Sequence, residues 1–195
     1  MKICVLSGSP RVGGNTESLC NIVCERLKEK GHEIKNFRLY DMEIEPCRGC
    51  RSCQEDHSIF GCVIKDDVQM IFDAAEDADL IIVSSPVYSW YCTPPVKAVL
   101  DRLVYGMNKY YGKIKGPSLW EGKHLALITT CGYPVIKGAD LLTEGMKRYC
   151  KHSKLKYCGM LAERHMGYNT EFLDDEKVRN AEDFAEKLNN IIVER

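Results

Sequence analysis

The chain has 195 residues, 45% of them hydrophobic and 28% charged, which is enough apolar sequence for one globular domain with a sizeable core. Its 27 basic and 28 acidic side chains give a net charge of −1, which argues against nucleic acid or a membrane surface as a partner. No apolar stretch is long enough to span a bilayer, and the first residues form a core strand pattern rather than a signal peptide.

The cysteine content predicts a reducing environment. Eleven cysteines are present, an odd number, and Cys4, Cys20, Cys24 and Cys158 fall in segments expected to form the core. A disulfide scaffold is therefore not expected, and a cytoplasmic location fits better. Most of these thiols should act as small buried hydrophobes.

Strands and helices are predicted to alternate along the chain. Apolar runs predict strands at 2–7, 32–40, 79–84, 124–130 and 155–163, the second being an alternating edge strand. Apolar residues at helical spacing predict helices at 15–30, from 66, from 95, at 137–152 and from 175. We expect one α/β domain over residues 1–195, a three-layer doubly wound sheet of five parallel strands in the order 2-1-3-4-5.

Two stretches interrupt this alternation. Residues 44–65 form a loop that holds four cysteines. Residues 106–121 are rich in glycine, lysine and tyrosine without a clear period, and we predict an inserted loop that exposes Tyr110, Tyr111 and Trp120.

The turn between the first strand and the first helix predicts a phosphate site. Residues 7–16 read S-G-S-P-R-V-G-G-N-T, so small and hydroxyl-bearing residues lie at the positive end of a helix. The stretch lacks the Lys-Ser/Thr ending of a Walker A loop and the G-x-G-x-x-G of a dinucleotide fingerprint. Ser9, Arg11, Asn15 and Thr16 could hold a terminal phosphomonoester. The alternative is an ordinary turn in which Asn15 or Thr16 caps the helix.

Several motifs in order along the chain resemble one family. They are G-S-P-R-x-x-G-N-T at 8–16, Ser85-Pro86-Val87-Tyr88, and Pro95-Val96-Lys97 followed by Asp101-Arg102. Together they resemble the flavodoxin-like NAD(P)H-dependent FMN reductases. The Cys47-x-x-Cys50-x-x-Cys53 motif is similar to that of the iron–sulfur flavoproteins.

The resemblance implies an FMN site at the carboxyl edge of the sheet. The phosphate would lie in the loop of Ser9 to Thr16, Pro86, Val87, Tyr88 and Ser89 would follow the flavin ring, and Cys131 and Gly132 would close over its other side. For Tyr88 and Trp90, packing in the core or a subunit interface is the alternative. We nominate no catalytic side chain, because a bound flavin itself carries the hydride chemistry.

The spacing of the cysteines in the loop at 44–65 predicts a metal centre. Cys47, Cys50, Cys53 and Cys62 could ligate one [4Fe–4S] cluster, since thiolates are the usual ligands of such clusters. Free cysteines and a zinc site are the alternatives, although zinc is more often bound by two C-x2-C pairs.

We therefore expect an oxidoreductase that passes electrons from NAD(P)H through FMN. The alternatives are a non-enzymatic electron carrier that serves ferredoxin-like partners, and a redox-sensing protein without flavin. The resemblance also implies a homodimer or homotetramer, because the flavins of the family lie near subunit interfaces. Exposed aromatic residues in 106–121 would fit such an interface.

Overall fold

A computed structural model describes residues 1–167 and 170–193. The strands are β1 (Lys2–Ser7), β2 (Glu33–Arg38), β3 (Leu80–Pro86), β4 (His124–Cys131) and β5 (Lys156–Arg164). The helices are α1 (Asn15–Glu29), α2 (Val68–Asp77), α3 (Pro94–Met107), α4 (Val135–Gly138), α5 (Asp140–Ser153) and α6 (Asp175–Val193). Two short 3-10 turns lie at Leu39–Asp41 and Ser52–Gln54.

The strands form one parallel sheet in the order β2-β1-β3-β4-β5, which confirms the predicted flavodoxin-like topology. Every residue of β4 and all but the last of β3 are buried, because helices cover both faces of the central strands. One apolar core includes residues of α2, α3 and α5, and a second includes residues of α1 and α6. The sheet therefore fixes the loops that follow β1, β3 and β4 at one common edge.

The predicted helix at 137–152 is divided in two. A short helix ends at Gly138 and the longer one begins at Asp140, with Ala139 between them at φ −114° and ψ 0°. A side chain at Gly138 would place its Cβ 2.9 Å from the sulfur of Cys131, so the backbone packs directly against the end of β4 here. The break lies next to this close approach, and the periodicity of the sequence revealed neither of them.

The segment at 106–121 is only partly the exposed loop that we predicted, because Ile114 is exposed whereas Tyr110 and Tyr111 are half-buried. Trp120 is 1% exposed, and its Nε1–H donates to Oδ1 of Asn108 at 2.9 Å. Asn108 is itself fully buried and donates to the hydroxyl of Ser153 at 3.0 Å. The expectation that Trp120 is exposed was therefore wrong, because a buried amide network holds the segment against α5.

All eleven cysteines lie in the described part of the chain and carry free thiols. Cys4, Cys20, Cys24 and Cys158 are buried, as the sequence predicted. Among the described residues, no helix combines the length and apolar character that crossing a membrane requires.

Candidate functional site

The loop after β1 is held against the start of α3 by a close approach at Gly8. The N–H of Gly8 donates to the carbonyl of Ser84 at 2.7 Å, and the hydroxyl of Thr93 donates to the carbonyl of Gly8 at 2.8 Å. A Cβ at this position would lie 2.1 Å from Cγ2 of Val96. Only glycine fits here, and this contact fixes where the following loop begins.

The candidate phosphate residues share one cavity. Ser9, Arg11, Asn15 and Thr16 line a cavity of about 270 Å³ together with Pro86 and Tyr88 from the loop after β3. The hydroxyl of Ser9 is turned back on its own loop, because it donates to the carbonyl of Arg11 at 3.1 Å. Six of the ten predicted cofactor residues therefore meet at the predicted edge of the sheet.

The amino terminus of α1 faces this cavity without a side-chain cap among the described residues. Gly14 precedes the helix in an extended conformation, and Asn15 is the first helical residue. The hydroxyl of Thr16 lies 2.6 Å from that of Thr130, so it joins α1 to the end of β4. The capping alternative for Asn15 or Thr16 was therefore wrong, and N–H groups of the first turn remain available to an anion.

The loop after β3 contains a strained two-residue turn. Tyr88 and Tyr91 exchange backbone hydrogen bonds of 2.8 and 2.9 Å, and the two residues between them both have positive φ angles, 50° at Ser89 and 65° at Trp90. This backbone conformation is unfavourable for residues other than glycine. It holds the Trp90 ring 5.9 Å from the Tyr133 ring in a stacked arrangement.

The other four predicted cofactor residues line an adjoining hollow. Residues of the loop after β3 that alternate with those lining the larger cavity face this hollow, together with residues at and after the end of β4. Its volume is about 70 Å³, and its lining includes Val87, Ser89, Cys131 and Gly132. The N–H of Val87 donates to the carbonyl of Thr130 at 2.9 Å, which fixes the two loops relative to each other. The structure thus divides the predicted residues between two neighbouring spaces.

The loop after β5 also contributes, which our sequence reasoning missed. His165, Gly167 and Thr170 line the larger cavity. The N–H of His165 donates to the carbonyl of Cys131 at 3.0 Å. The predicted strand order contained the signal, because β5 is parallel to β4 and its carboxyl end must reach the same edge.

A separate cavity lies under the cysteine loop. Its volume is about 140 Å³, and Cys47, Cys50, Cys53 and Cys62 all line it. Among the described residues, no three Cys, His, Asp or Glu side chains form a group that could hold a single metal ion. The four thiols therefore surround a volume and do not converge on one point.

The thiols of this loop differ in their electrostatic surroundings. The pKa of Cys50 is lowered because the backbone N–H and the hydroxyl of Ser52 both form hydrogen bonds with its sulfur. Burial raises the pKa of Cys53. Exposed Cys50 is thus the more readily ionised of the two.

Buried polar contacts fix the loop to the end of α3. The side-chain amide of Gln54 donates to the carbonyl of Asn108 at 3.0 Å and accepts from the N–H of Tyr111 at 3.0 Å. Lys109 donates to the carbonyl of Cys53 at 2.7 Å. These contacts were not predictable from the residue pattern, because polar residues in a loop are usually solvated.

Comparison with known families agrees with this geometry. The profile of the NADPH-dependent FMN reductases matches residues 1–142. The chain belongs to this family.

The relatives of this FMN reductase family member include archaeal proteins. The chain is 38% identical over 111 residues to an iron-sulfur flavoprotein of Methanosarcina thermophila, covering 57% of this chain and 56% of the relative. It is 39% identical over 102 residues to one of Methanocaldococcus jannaschii, covering 52% and 51%. The chain spans about half the length of the curated relatives that it matches.

Solved structures share the fold of this family member. An NAD(P)H:quinone oxidoreductase from Methanothermobacter marburgensis superposes with a TM-score of 0.75 at 18% identity, over 96% of both chains. A flavodoxin from the domain Archaea superposes with a TM-score of 0.60 at 13% identity, over 98% of this chain and 99% of that one.

Proposed function

We propose that this protein is an FMN-dependent oxidoreductase that accepts electrons from NAD(P)H. The observation that carries the proposal is the meeting of Ser9, Arg11, Asn15 and Thr16 with Pro86 and Tyr88 around one polar cavity at the sheet edge. In open α/β sheets, ligands bind beyond the carboxyl ends of the strands. Membership of the FMN reductase family supports the same ligand.

The residues present fit the phosphate of FMN. The first turn of α1 has no side-chain cap among the described residues, and backbone N–H groups at a helix start favour an anion. Arg11 adds a positive charge at the cavity wall, and Asn15 adds a polar side chain. We propose that this loop binds the phosphate and takes no part in its transfer.

Flavin, when bound, supplies the hydride chemistry. The role of the protein is to position the ring. The Tyr88–Tyr91 turn and the bond between Val87 and Thr130 hold the backbone along which we place the ring edge. Cys131 and Gly132, in the adjoining hollow, would then lie beside the ring, and we assign no proton transfer to either.

We further propose that the cysteine loop holds an iron–sulfur cluster. Four free thiols around a cavity of about 140 Å³ suit a multinuclear cluster better than one zinc ion, which needs ligands that converge within bonding distance. Cys50 is exposed, so the cluster would lie near the surface, where a ferredoxin-like partner could exchange electrons with it. This observation favours the electron-carrier function as the second candidate.

The primary experiment is anaerobic purification followed by an absorption spectrum, iron analysis and an NAD(P)H oxidation assay. We expect flavin bands, about four irons per chain, and steady-state oxidation of NADH or NADPH with a quinone as acceptor. Absence of FMN binding would overturn the proposal. Bound FMN without NAD(P)H turnover would support the carrier function instead.

The cluster assignment has its own test. We expect Cys50→Ala to lose iron and to retain FMN, because the cysteine cavity and the phosphate loop share no lining residue. Cys92→Ala is the matched control, because Cys92 is a partly buried thiol that does not line the cysteine cavity. Absence of iron from the unaltered protein after anaerobic reconstitution would leave a flavoprotein with free thiols.

A further inference from the structure

A buried arginine forms one wall of the cysteine cavity. Arg102 lies on α3, is 3% exposed, and lines the cavity with the four cysteines. Its Nη1–H donates to the carboxylate of Asp66 at 2.5 Å and to the carbonyl of Glu45 at 3.2 Å. The guanidinium therefore joins the residues just before the first cysteine to those just after the last.

The same side chain reaches a candidate cluster ligand. Its Nη2–H donates toward the sulfur of Cys62 at 3.5 Å and toward the carbonyl of Ile64 at 3.5 Å. An N–H···S contact of this type restricts where the sulfur can lie. It also stabilises negative charge on the sulfur.

One donor of Arg102 has no partner. Its Nε–H is buried and forms no hydrogen bond with the described residues. Among the buried side-chain nitrogen and oxygen atoms of the described residues, only Nδ1 of His32 and the hydroxyl of Tyr157 also lack a partner. Because buried donors are nearly always satisfied, an orphan on a cavity wall points to an acceptor inside the cavity. Iron-bound thiolate and sulfide sulfurs are such acceptors.

A second buried cation contacts the middle of the loop. Lys109 is fully buried, and its ammonium group donates to the carbonyl of Cys53 at 2.7 Å. Four cysteine thiolates carry more negative charge than an iron–sulfide core offsets, and buried charge requires compensation. One cation thus lies on the cavity wall near Cys62, and another contacts the backbone of Cys53 outside the cavity lining.

We propose that Arg102 is a positioning residue that holds Cys62 in the cluster and raises the reduction potential of the cluster through its N–H···S contact. The inference rests on the proposed iron–sulfur function. Hydrogen bonds to ligand sulfurs and nearby positive charge stabilise the reduced form, which carries one more negative charge. Asp66 neutralises part of the charge of Arg102, so the directional N–H groups, which lysine lacks in this geometry, are the essential feature.

The test compares midpoint potentials in anaerobically prepared protein with FMN and iron in place. The variants are Arg102→Gln, Arg102→Lys and the control Arg48→Gln. Arg48 lines the same cavity, but its side chain is 67% exposed, so solvent screens its charge. Iron content and potential are measured by chemical assay and by a redox titration followed spectroscopically.

For Arg102→Gln we expect the ratio of reduced to oxidised cluster at a fixed applied potential to fall at least tenfold. For a one-electron couple, a tenfold fall means that the midpoint potential becomes more negative by about 59 mV. Arg102→Lys should shift in the same direction by less, and Arg48→Gln should change little. Loss of iron from Arg102→Gln with FMN binding retained would also support the positioning role.

Full iron content in Arg102→Gln with a potential no lower than that of Arg48→Gln would overturn the inference. If Arg102→Gln does not fold, the test uses Arg102→Lys instead. An unchanged midpoint potential in Arg102→Lys would then overturn the inference. A purely structural arginine would alter stability without altering the potential of the retained cluster. Absence of iron from the unaltered protein is a separate outcome, which overturns the proposed cluster and this role of Arg102 together.

Discussion

At the scale of single residues, Arg11 is the side chain whose charge we assign to the FMN phosphate. It lies on the cavity wall, in a loop whose remaining candidate donors are neutral. A hydrogen bond to a charged group contributes about 1.5–3 kcal/mol, so Arg11→Ala should weaken FMN binding roughly tenfold or more. Isothermal titration calorimetry measures this affinity directly.

The control for Arg11 lies beside it. Val12 is 84% exposed and offers no polar group, so Val12→Ala should leave the affinity for FMN unchanged. Thr16→Ala should also weaken binding, because it removes a hydroxyl from the cavity wall and the contact with Thr130. Unchanged affinity in both Arg11→Ala and Thr16→Ala would show that the phosphate lies elsewhere.

At the scale of elements, Gly8 sets the spacing between β1 and α3. A methyl group there would meet Cγ2 of Val96 at 2.1 Å and the hydroxyl of Thr93 at 2.9 Å. Val96 is β-branched and fully buried, so it cannot turn aside. We expect Gly8→Ala to reduce the free energy of unfolding by about 1–3 kcal/mol, measured by urea denaturation.

At a second glycine, substitution by alanine should change the free energy of unfolding in the opposite direction. Gly145 lies in the middle of α5, is exposed, and has no atom within 4 Å of the position of an added Cβ. Gly145→Ala should therefore raise the free energy of unfolding by about 1 kcal/mol through helix propensity. Equal effects of the two substitutions would contradict the close approach at Gly8.

The ion pair of Asp66 and Arg102 joins the cysteine loop to α3, with both side chains at most 4% exposed. Burial alone would raise the pKa of Asp66, but hydrogen bonds from Arg102 and from the N–H of Glu45 outweigh it and hold the pKa below its usual value. A carboxyl group with a lowered pKa stabilises the fold at pH values above its unfolded-state pKa of about 4. This contribution disappears as the pH falls through the folded-state pKa.

Asp66→Asn should therefore cost about 3–5 kcal/mol at pH 7, because it leaves a buried guanidinium unpaired. The difference from the unaltered protein should shrink below about pH 4. Urea unfolding at several pH values measures both effects. Glu144→Gln is the control. Arg148 also lowers the pKa of Glu144, but this pair is exposed and screened by solvent, so the dependence on pH should be much smaller. A pH-independent difference for Asp66→Asn would contradict the lowered pKa.

At the scale of the whole molecule, α3 connects the two cavities. Thr93 at its start holds the carbonyl of Gly8, and Arg102 further along lines the cysteine cavity. Nine residues of helix correspond to about 13 Å along the axis. One rigid element thus fixes the proposed flavin site relative to the proposed cluster.

Oligomeric state is a prediction at the same scale. We expect a homodimer or a homotetramer, although the burial of Trp120 removes one reason for placing the interface at 106–121. Aromatic side chains are instead exposed around the turn at 88–91, among them Trp90 at 44% and Tyr91 at 57%. Aromatic residues are enriched in interfaces, so we now expect this patch to be the buried one.

Light scattering at micromolar concentration should give a mass at least twice the 22.2 kDa of one chain. Tyr91→Glu should lower that mass, because it places a charge in the apolar contact. Ile114→Glu, at a residue of 106–121 that is 76% exposed, should leave it unchanged. A monomeric mass for the unaltered protein would refute the assembly, and the reverse result for the two variants would place the interface at 106–121.

The strand order and the edge at which the ligand loops meet were predictable from the residue pattern alone. Apolar runs such as that of β3 and the helical spacing in α1 are local properties, and alternating strands and helices leave few ways to form a parallel sheet. The residues that follow β1 and β3 were therefore predictable as neighbours. The position of the loop after β5 could have been predicted by the same reasoning.

The contacts of the polar residues between these elements were visible only in the folded chain. Arg102, Lys109 and Trp120 carry no local signal, because whether such a side chain is buried depends on partners far along the chain, such as Asp66 for Arg102. The sharing of one cavity by four cysteines likewise depends on how the loop packs against α3. Periodicity reports the face of an element, whereas a buried polar contact requires two distant segments to meet in a particular geometry.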